Sequence, residues 1–438
     1  MTSDAGKLNV LLLGSGGREH AIASRLARSP RLERLWIAPG NAGTEDLGEN
    51  VPEVAVTDLE AVAALAKRVH ADLVVVGPDD PLALGIVDRL TVEGIRCFGP
   101  SKAAAEIEWS KSFAKQLMRD AGIATGEARI FDSADEAKAY AWSLGAPPVI
   151  KADGLALGKG VVVCDNLEEA DAAIEAAMTS KVFGEAGARI LVEERMSGPE
   201  TSAHAFTDGV AVRHMPFSCD YKPVFDGGRG PNTGGMGVYS PPGWLSDREA
   251  RSIERDVTER AVQAMFDAGR PYRGVLYPGM MRTEAGFRVI EFNSRFGDPE
   301  CEVLLPRLKT DLLEICWAVA SNALGDLEVE WSEDASVGVV MASGGYPGSY
   351  PTGFPITGLE DVDDGVEVFL AGATRREDGV LVTSGGRVLC VVATGPTLEE
   401  ARARAYDNVR RIHFEGAHYR TDVGLEGVGV EVGGGRPR

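Results

Sequence analysis

The sequence has little that would take this chain to a membrane, a nucleic acid or an oxidising compartment. Its first apolar run, Leu8 to Leu13, is far too short to cross a bilayer, and Met1 to Lys7 lacks the charged flank of a signal peptide. There are 45 Lys plus Arg against 66 Asp plus Glu, and the formal net charge of −21 would repel a polyanion. The six cysteines form no Cys-x-x-Cys pair. We therefore expect a cytoplasmic protein with six small buried thiols, no membrane and no nucleic acid as partner.

Nucleophilic catalysis also lacks support in the sequence. Only six histidines are present, none at a metal-ligand spacing, and no Gly-x-Ser-x-Gly turn occurs. We interpret His20, His204 and His214 as structural residues or substrate contacts. The sequence therefore offers no catalytic triad.

The sequence has 438 residues, a length too great for one compact core. Its predicted secondary structure changes along the chain. Short β-branched runs alternate with helical patterns up to Phe98-Gly-Pro100, which predicts a parallel sheet wound through right-handed βαβ units. A mixed α and β pattern follows, and then a β-rich region with one last helix. The predicted domains are 1–108, 109–328 and 329–423, with a frayed glycine-rich tail at 424–438.

Two segments of the middle region have a predicted local structure, one as a strand and one as a loop. Thr201 to Thr207 is predicted as a single strand. Cys219 to Trp244 is rich in Gly and Pro, lacks periodicity, and is predicted as a long structureless loop. Such loops are uncommon inside compact domains and usually functional.

The first predicted strand ends in a glycine turn, Gly14-Ser-Gly-Gly17, that opens a helix. Backbone N–H groups at such a turn favour an anion, so a phosphate is the expected ligand. A dinucleotide fingerprint would need glycine in place of Glu19, and an acidic residue where Pro39 to Thr44 stands. A dehydrogenase is therefore disfavoured, and a plain tight turn is the alternative.

A second glycine loop follows the predicted strand that ends at Lys151. Gly154 to Gly160 contains three glycines and Lys159, and we predict that its N–H groups and ammonium close over phosphates. It is not a Walker loop, because the glycine spacing is one residue short and Gly160 replaces the required Ser or Thr. A glycine hairpin with a solvated lysine is the alternative.

An extended hinge follows the predicted strand that ends at Glu193. Its backbone can pair with an adenine edge, while carboxylates such as Glu193 and Glu200 reach the adenine amino group and the ribose hydroxyls. Simple surface charges are the alternative.

The most informative segment is a predicted strand with alternating polar and apolar residues. Because residues two apart in a strand share a face, Glu291, Asn293 and Arg295 are predicted to lie together, opposite Ile290 and Phe292. Carboxylate and amide oxygens suit magnesium, which completes its octahedron with phosphates and water. The guanidinium can bind a phosphate or a carboxylate bidentately. A half-exposed sheet face with a salt bridge is the alternative.

Taken together, these segments resemble those of the ATP-grasp ligases and, within them, the phosphoribosylamine–glycine ligase family. The resemblance runs from Val10 to about Asp422 and rests on LLLGSGGREHAIA, APGNAGT, VVGPDDPL, FGPSKAAAEIEWSKSFAK, VIKADGLALGKGVVV, ILVEERMSGPETS, GPNTGGMGVYSP, VIEFNSRFGDPE and GVVMASGGYPG. It implies an α/β chain with a Rossmann-like N-terminal domain, a central ATP-grasp domain with a small lid at about residues 125–195, and a β-rich C-terminal domain. The chain departs from the family pattern at Asp79-Asp80, where Glu-Ala is more common, and at Arg195, where an aromatic residue is usual.

The resemblance also implies a place for each ligand. ATP is expected between the lid and the central sheet, with its phosphates, adenine and ribose contacted by Lys111, Lys151, Gly158, Lys159, Gly160, Glu193, Glu194, Met196 and Glu200. Magnesium, or manganese, is implied at Glu291 and Asn293. The sugar-phosphate side and the transfer region are implied at Gly14, Gly16, Gly17, Arg18, Asn41, Pro78, Asp79, Asn232, Gly234 and Gly235. The implied catalytic residues are Lys151, Arg295 and Asp220.

The reaction implied is the ATP-dependent ligation of glycine to 5-phospho-D-ribosylamine in de novo purine biosynthesis. ATP would convert glycine to glycyl phosphate, and the amine would then attack, giving glycinamide ribonucleotide, ADP and phosphate. Positioning, metal and cations stabilise such phosphoryl transfer, which fits the missing nucleophile. The alternatives are another ATP-grasp ligase of purine metabolism and a nucleotide-binding scaffold without turnover. A monomer is expected.

Overall fold

The structure is a computed structural model that describes residues 6–154 and 160–426. Gly158 and Lys159 of the predicted phosphate loop, and all but three residues of the predicted tail, lie outside these ranges.

A five-stranded parallel sheet forms the first domain. Its strands are β1 (Leu8–Gly14), β2 (Leu32–Pro39), β3 (Glu49–Asn50), β4 (Leu73–Val76) and β5 (Arg96–Phe98), in the order β3-β2-β1-β4-β5. Helices α1 (Gly17–Leu26), α2 (Leu59–Arg68), α3 (Asp79–Leu84), α4 (Ile86–Val92) and α5 (Lys102–Trp109) complete the domain. All four residues of β4 are buried, as a strand covered on both faces requires. The predicted α/β fold is confirmed, and its strand order reverses between β1 and β4, where such sheets bind ligands.

A small antiparallel sheet forms the lid after helix α6 (Lys111–Ala121). Its strands are β6 (Ala128–Phe131), β7 (Val149–Ala152), β8 (Val161–Val163) and β9 (Ile190–Glu193), in the order β6-β9-β7-β8. Two helices cover one face of this sheet, α7 (Ala134–Ser143) and α8 (Leu167–Ile174), the second continued by a π-helical turn at Glu175–Thr179. Lys151 alternates with Ile150, which packs under the helices. The side chain of Lys151 therefore lies on the uncovered face.

Seven short strands follow between Glu200 and Ser240. They are β10 (Glu200–Ser202), β11 (Ala205–Thr207), β12 (Val212–His214), β13 (Cys219–Asp220), β14 (Pro223–Phe225), β15 (Arg229–Asn232) and β16 (Gly237–Ser240). The prediction of one strand over Thr201 to Thr207 is wrong, because the chain leaves the ladder at Ala203 and His204. The prediction of a structureless Cys219 to Trp244 is also wrong. Its ladders are two to four residues long, and the glycines and prolines within them hide the strand period.

The central sheet is closed by two long strands that follow helices α9 (Asp247–Ile253) and α10 (Arg260–Asp267). The strands are β17 (Gly274–Thr283) and β18 (Gly286–Asn293), and β17 pairs with β10, β11 and β18. Sequence reasoning missed β17, whose centre is Pro278-Gly279. The pairing of β17 with β18 skips Ile290, which forms a β-bulge.

The last region begins with helices α11 (Glu300–Leu304) and α12 (Leu312–Ala320). Strands β19 (Ala335–Ala342), β20 (Val366–Leu370), β21 (Ala373–Arg375), β22 (Leu381–Thr383) and β23 (Arg387–Gly395) follow, and then helix α13 (Leu398–Val409). One sheet has the order β13-β16-β19-β23-β20. It therefore crosses the predicted boundary at residue 328 and ties the last domain to the central one.

Two expectations about the whole chain can be compared with the described residues. All six cysteines are unpaired and buried, as expected. No helix within residues 6–154 and 160–426 combines the length and the hydropathy needed to cross a membrane.

Candidate active site

Strand β18 carries the carboxylate and the amide that were predicted as metal ligands. Glu291 lies opposite Gly279, and Asn293 lies opposite Tyr277 two positions on, so both side chains are on one face. The Asn293 amide nitrogen donates to the Tyr277 carbonyl at 3.5 Å, which leaves the amide oxygen available. Burial would raise the pKa of Glu291, but Lys222, Lys111, Lys151 and Arg295 outweigh it and lower that pKa.

This pair fits a divalent cation that takes few protein ligands. In the part of the chain that the structure describes, no group of three or more His, Cys, Asp or Glu side chains could hold a metal. One ionised carboxylate and one amide oxygen suit magnesium, which keeps phosphate and water ligands. The chemistry of the donors at Glu291 and Asn293 therefore matches a metal that arrives with a nucleotide.

Arg295 reaches the same region by a different route from the one predicted. Strand β18 ends at Asn293, so the placement of Arg295 by strand alternation is wrong, and Arg295 lies in the bend that follows. Glu108 fixes this bend: its carboxylate accepts from the Ser294 N–H at 2.8 Å and the Ser294 hydroxyl at 2.6 Å, and pairs with Arg295 at 3.0 Å. Glu108 was missed because it lies 186 residues earlier in the chain.

Lysines approach from α6 and from the lid. Lys111 begins α6, and its ammonium donates to the Glu108 carbonyl at 3.1 Å. The Lys151 ammonium donates to the carbonyl of Ile290 at 3.0 Å, a carbonyl that the bulge leaves outside the ladder. Both predicted phosphate lysines therefore lie next to Glu291, in a cavity lined by Ile107, Glu108, Lys111, Ala114, Lys115, Met118, Lys151, Ile290, Glu291 and Phe292.

Glu193 does not have the surroundings expected of an adenine contact. Its carboxylate is 2% exposed and lies 2.9 Å from the Lys151 ammonium and 3.1 Å from that of Lys115. Lys115 also donates to the Thr125 hydroxyl and the Gly126 carbonyl. Burial lowers the pKa of Lys115 to about 8, although Glu193 opposes this shift. The Glu193 carboxylate therefore bridges α6 and the lid, and its contact with adenine stays a prediction. Lys115 was missed.

Two other side chains of the hinge, those of Glu194 and Arg195, form hydrogen bonds and ion pairs within the protein. The Glu194 carboxylate accepts from the Glu127 N–H at 3.0 Å and pairs with Arg288 at 2.5 Å. Arg195 donates to the Cys164 carbonyl at 2.8 Å and pairs with Asp165 at 3.2 Å. Arg195, which stands where an aromatic residue is usual in the family, therefore makes contacts within the lid. Met196 is half-buried, and its backbone stays a predicted adenine contact.

The predicted phosphate loop is anchored at its first end. Asp153 follows β7, and its carboxylate accepts from the Ser112 N–H at 3.0 Å, the Ser112 hydroxyl at 2.5 Å and the Ser110 hydroxyl at 3.1 Å. At the other end the Gly160 carbonyl accepts from Ala152 at 2.7 Å. The base of the loop is thus held beside Lys111, at the start of α6.

A second charged group lies on the side of β13. The Lys222 ammonium is 3.3 Å from the carboxylate of Glu200, the residue predicted to bind ribose. Burial raises the pKa of Asp220 to about 7; Lys222 opposes this shift, while Glu300 and Glu200 add to it. Glu300 is buried, and accepts from the Tyr277 hydroxyl at 3.1 Å. Lys222 and Glu300 were not singled out from the sequence.

The predicted transfer loop lies over this group. Asn232 is exposed at the end of β15. The Gly234 N–H donates to the Tyr346 hydroxyl at 3.2 Å, and its carbonyl accepts from Arg387 at 2.7 Å. Gly235 has φ +114°, a backbone conformation that favours glycine, and a Cβ there would collide with Pro299. Arg387 also pairs with Asp298 at 3.0 Å, so the loop is tied to the segment after β18.

The N-terminal glycine turn is already occupied by a side chain. The Gly16 N–H donates to the Glu19 carboxylate at 2.6 Å, so a phosphate at this N–H would compete with Glu19, and the assignment of Gly14, Gly16 and Gly17 to the sugar-phosphate side stays a prediction. Arg18 is buried, pairs with Glu19 at 2.6 Å and donates to the Phe296 carbonyl at 3.2 Å. A Cβ at Gly17 would lie 2.7 Å from a carboxylate oxygen of Glu302.

Asn41, also predicted on the sugar-phosphate side, is used within the protein. Its amide nitrogen donates to the carbonyls of Ser15, Gly16 and Leu370. Its amide oxygen accepts from the Gly43 N–H at 2.7 Å. The Asn41 side chain therefore ties the glycine turn to the last domain, and its contact with the substrate stays a prediction.

Pro78 and Asp79 lie where the first domain meets the ATP side. Pro78 is the N-cap residue of α3 and Asp79 is its first residue. The charge of Asp79 is one of those that keep the pKa of Arg295 raised, against the effect of burial. The carboxyl edge of the first sheet also meets the segment after β18, where Arg18 donates to the Phe296 carbonyl at 3.2 Å.

The fold and the site together define the class of protein. A lid sheet covers a cleft, two lysines enter the cleft beside a carboxylate–amide pair on the last central strand, and no nucleophile is needed. This is the arrangement of an ATP-grasp ligase.

Comparison with known proteins gives the family. Models of the phosphoribosylglycinamide synthetase family match the chain as its N domain at residues 8–108, its ATP-grasp (A) domain at 109–301 and its C domain at 336–426. A phosphoribosylamine–glycine ligase from Halalkalibacterium halodurans is 48% identical over 421 residues, which cover 96% of this chain and 97% of the relative. The chain belongs to the phosphoribosylamine–glycine ligase family, whose members are ATP-dependent ligases of de novo purine biosynthesis.

Solved structures agree with this assignment. The crystal structure of phosphoribosylamine–glycine ligase from Thermotoga maritima is 33% identical and superposes with a TM-score of 0.83, over 95% of this chain and 100% of that chain. A biotin carboxylase domain from Hydrogenobacter thermophilus, in complex with MgADP, has a TM-score of 0.73 over 94% of this chain and 91% of that chain. At 17% identity it shows the shared fold alone. ATP and a divalent metal are the cofactors of ATP-grasp enzymes.

Proposed function

We propose that this chain ligates glycine to 5-phospho-D-ribosylamine with ATP, through glycyl phosphate, and forms glycinamide ribonucleotide. The observation that carries the proposal is the cavity in which Lys111 and Lys151 lie beside Glu291; the charges of Lys222 and Arg295 also lower the pKa of Glu291. Cations beside a carboxylate that could hold a metal suit a transferring phosphoryl group, whose charge is spread over several oxygens. The name of the relatives gives the two substrates that are joined.

The proposed reaction has two steps. A carboxylate oxygen of glycine attacks the γ-phosphorus, the bond to the bridging oxygen breaks, and ADP leaves. The acceptor amine then attacks the carbonyl carbon of glycyl phosphate, the bond from carbon to the phosphate oxygen breaks, and phosphate leaves. The nitrogen loses one proton, for which Asp220, with a pKa of about 7, is the proposed acceptor.

The ATP side is assigned to the elements around the cavity. Lys111 and Lys151 bind the phosphates, and Met196 and Glu200 lie on the adenosine side. Glu291 and Asn293 would hold magnesium or manganese, which when bound neutralises charge on the phosphates. Arg295 is held by Glu108 for the developing charge. The acceptor enters at the carboxyl edge of the first sheet, where Arg18 donates to the Phe296 carbonyl, next to Arg295.

The test is an assay of ADP formation with each substrate omitted in turn. We expect ADP only when glycine and phosphoribosylamine are both present, and glycinamide ribonucleotide as the product. Bicarbonate and formate in place of glycine distinguish the other ATP-grasp ligases of this pathway. ADP formation with either of them, and none with glycine, would contradict the proposal.

A cytoplasmic monomer is proposed as its working form. Six buried, unpaired cysteines suit a reducing compartment. Sedimentation of the purified protein tests the second point, and a dimer at micromolar concentration would contradict it.

A further inference from the structure

Arg387 of the last domain binds two segments of the central domain at once. It is the first residue of β23, and one nitrogen of its guanidinium donates to the Gly234 carbonyl at 2.7 Å and to the Asp298 carbonyl at 2.8 Å. A second nitrogen pairs with the Asp298 carboxylate at 3.0 Å, and the side chain is only 22% exposed. Arg387 therefore joins the predicted transfer loop (residues 232–235) to the segment after β18.

The last domain also holds Gly234 from the opposite side. The Tyr346 hydroxyl accepts from the Gly234 N–H at 3.2 Å. The Tyr346 ring lies over Gly386, next to Arg387 in the chain, where a Cβ would collide with it. A Cβ on Gly234 would lie 2.9 Å from the Arg387 Cζ atom, so the guanidinium lies against bare backbone. Both polar backbone groups of Gly234 are thus bound by neighbouring side chains of the last domain.

The transfer loop runs beside the strand that ends at Asp220. The Thr233 N–H and hydroxyl donate to the Lys222 carbonyl at 2.8 Å and 2.7 Å. The Met236 N–H donates to the Tyr221 carbonyl at 2.8 Å. These two carbonyls belong to the residues that directly follow Asp220, the proposed proton acceptor. The position of the loop is therefore coupled to the backbone at that residue.

The segment after β18 faces the first domain as well. A Cβ at Gly16, in the N-terminal glycine turn, would lie 3.2 Å from a carboxylate oxygen of Asp298. Pro299, the next residue, lies so close to Gly235 that a Cβ there would collide with it. The glycine turn and the transfer loop therefore border the same short segment. Arg387 is the side chain that fixes the loop to this segment.

We propose that Arg387 is a positioning residue for the second step, in which the acceptor amine attacks glycyl phosphate. This inference rests on the proposed function. Arg387 acts through Gly234 and Asp298: it holds the transfer loop and the segment after β18 in one arrangement, between which the amine and the carbonyl carbon meet. Tyr346 assists it through the Gly234 N–H.

Loss of this arrangement has a specific chemical consequence. When the amine is misplaced, water attacks the carbonyl carbon of glycyl phosphate instead, and the bond from carbon to the phosphate oxygen breaks. Glycine and phosphate are then released, so ATP is consumed without forming the amide. The amount of ADP formed per glycinamide ribonucleotide therefore reports on the position of the loop.

The experiment compares Arg387→Met with Arg376→Met, which removes an exposed arginine of the same domain that pairs with Asp378. ADP and glycinamide ribonucleotide are measured in the same reaction. We expect Arg387→Met to raise the KM for phosphoribosylamine by at least about tenfold. It should form at least about two ADP per product, where the wild type and Arg376→Met form about one. The Kd of a non-hydrolysable ATP analogue, measured by calorimetry, should change less than about threefold.

Two conservative variants separate positioning from stability. Tyr346→Phe removes only the hydroxyl that accepts from Gly234, and should raise the KM for phosphoribosylamine and the ADP per product in the same direction, by about two- to threefold. Arg387→Lys keeps the charge without the planar fork that binds Gly234 and Asp298 together, so it should recover only part of the loss. A merely structural arginine would change the free energy of unfolding and leave the ADP per product at the wild-type value.

Each other result has a separate meaning. If Arg387→Met keeps the wild-type KM for phosphoribosylamine and the wild-type ADP per product, or loses affinity for the ATP analogue in the same proportion, the inference is overturned and the proposed function stands. If circular dichroism shows that Arg387→Met is misfolded, Tyr346→Phe decides, and wild-type values in that variant overturn the inference. If the wild type and Arg376→Met both fail to form ADP with glycine and phosphoribosylamine, the proposed function fails, and this inference with it.

Discussion

Glu19 accepts a hydrogen bond from the backbone N–H of Gly16 at 2.6 Å, so the N-terminal glycine turn closes around a carboxylate of its own chain. Side chains at Gly14 or Gly77 would collide with Glu19. The space that Glu19 needs therefore explains why glycine occupies these positions. The glycines alone are thus weaker evidence for a bound phosphate. A phosphate that binds here must either displace Glu19 or use the neighbouring N–H groups.

Glu19→Ala should destabilise the protein substantially. Glu19 is 2% exposed and pairs with the buried Arg18, and removing one partner of such a pair costs about 3 kcal/mol in the free energy of unfolding. Chemical denaturation measures this change. The control is Glu33→Ala, which removes a largely exposed partner of Lys7 and should leave stability nearly unchanged. Equal effects of the two substitutions would contradict the buried role of Glu19.

Glu193→Gln should also be destabilising, because it leaves the ammonium groups of Lys115 and Lys151 facing each other without their shared carboxylate. We expect a loss of about 3 kcal/mol. In a double-mutant cycle with Lys115→Met, the coupling should exceed about 1 kcal/mol. Glu194→Gln, at the half-exposed neighbouring position, is the matched control. Additive effects of Glu193→Gln and Lys115→Met would rule out the bridge.

Glu291→Gln should abolish most of the turnover and keep the fold. A neutral amide binds magnesium less well and cannot balance the surrounding cations, so we expect kcat to fall by at least about 100-fold. Turnover is measured over a range of magnesium concentrations, with circular dichroism as a check of the fold. Glu284→Gln, exposed in the turn between the same two strands, should behave as the wild type does. Normal activity of Glu291→Gln at limiting magnesium would remove the metal assignment.

The pH dependence of turnover should reflect Asp220. Burial raises its pKa to about 7, so the carboxylate that accepts a proton forms only as the pH rises through that value. We expect kcat to increase from pH 6 to pH 8, and Asp220→Asn to lose both this rise and about 100-fold in rate. Asp267→Asn, at an exposed position, should keep the wild-type profile. An unchanged profile in Asp220→Asn would exclude Asp220 as the base.

Acid should weaken the contact between the first and last domains at His20. Its ring nitrogen accepts from the Leu370 N–H at 2.8 Å, and burial lowers its pKa to about 4. Between pH 6.5 and pH 4 the unfolded chain binds a proton here and the folded chain does not, so stability is lost as the pH falls. We expect the advantage of wild type over His20→Gln to shrink by about 3 kcal/mol from pH 7 to pH 4. The exposed His413→Gln is the control, and a pH-independent difference would contradict this account.

The family and the three-domain α/β fold could be predicted from the sequence, because both depend on local patterns. The alternation of side chains along a strand predicted that Glu291 and Asn293 share a face, and their pairing with Gly279 and Tyr277 of β17 is consistent with this. Short β-branched runs between helical patterns predicted the first sheet. The same reasoning failed for β17 and for the strands after Cys219, where glycine and proline interrupt the period that a strand would show.

The sequence by itself determined which residues are neighbours along one element, and so the class of chemistry and the pair that could hold a metal. The tertiary structure alone decided which charges meet. Glu193 pairs with two lysines, Glu19 fills the glycine turn, Glu108 fixes the bend of Arg295, and Lys222 pairs with Glu200. Spacing fixes the direction of a side chain only within its own helix or strand, whereas a pair such as Glu108 and Arg295 depends on how separate elements pack.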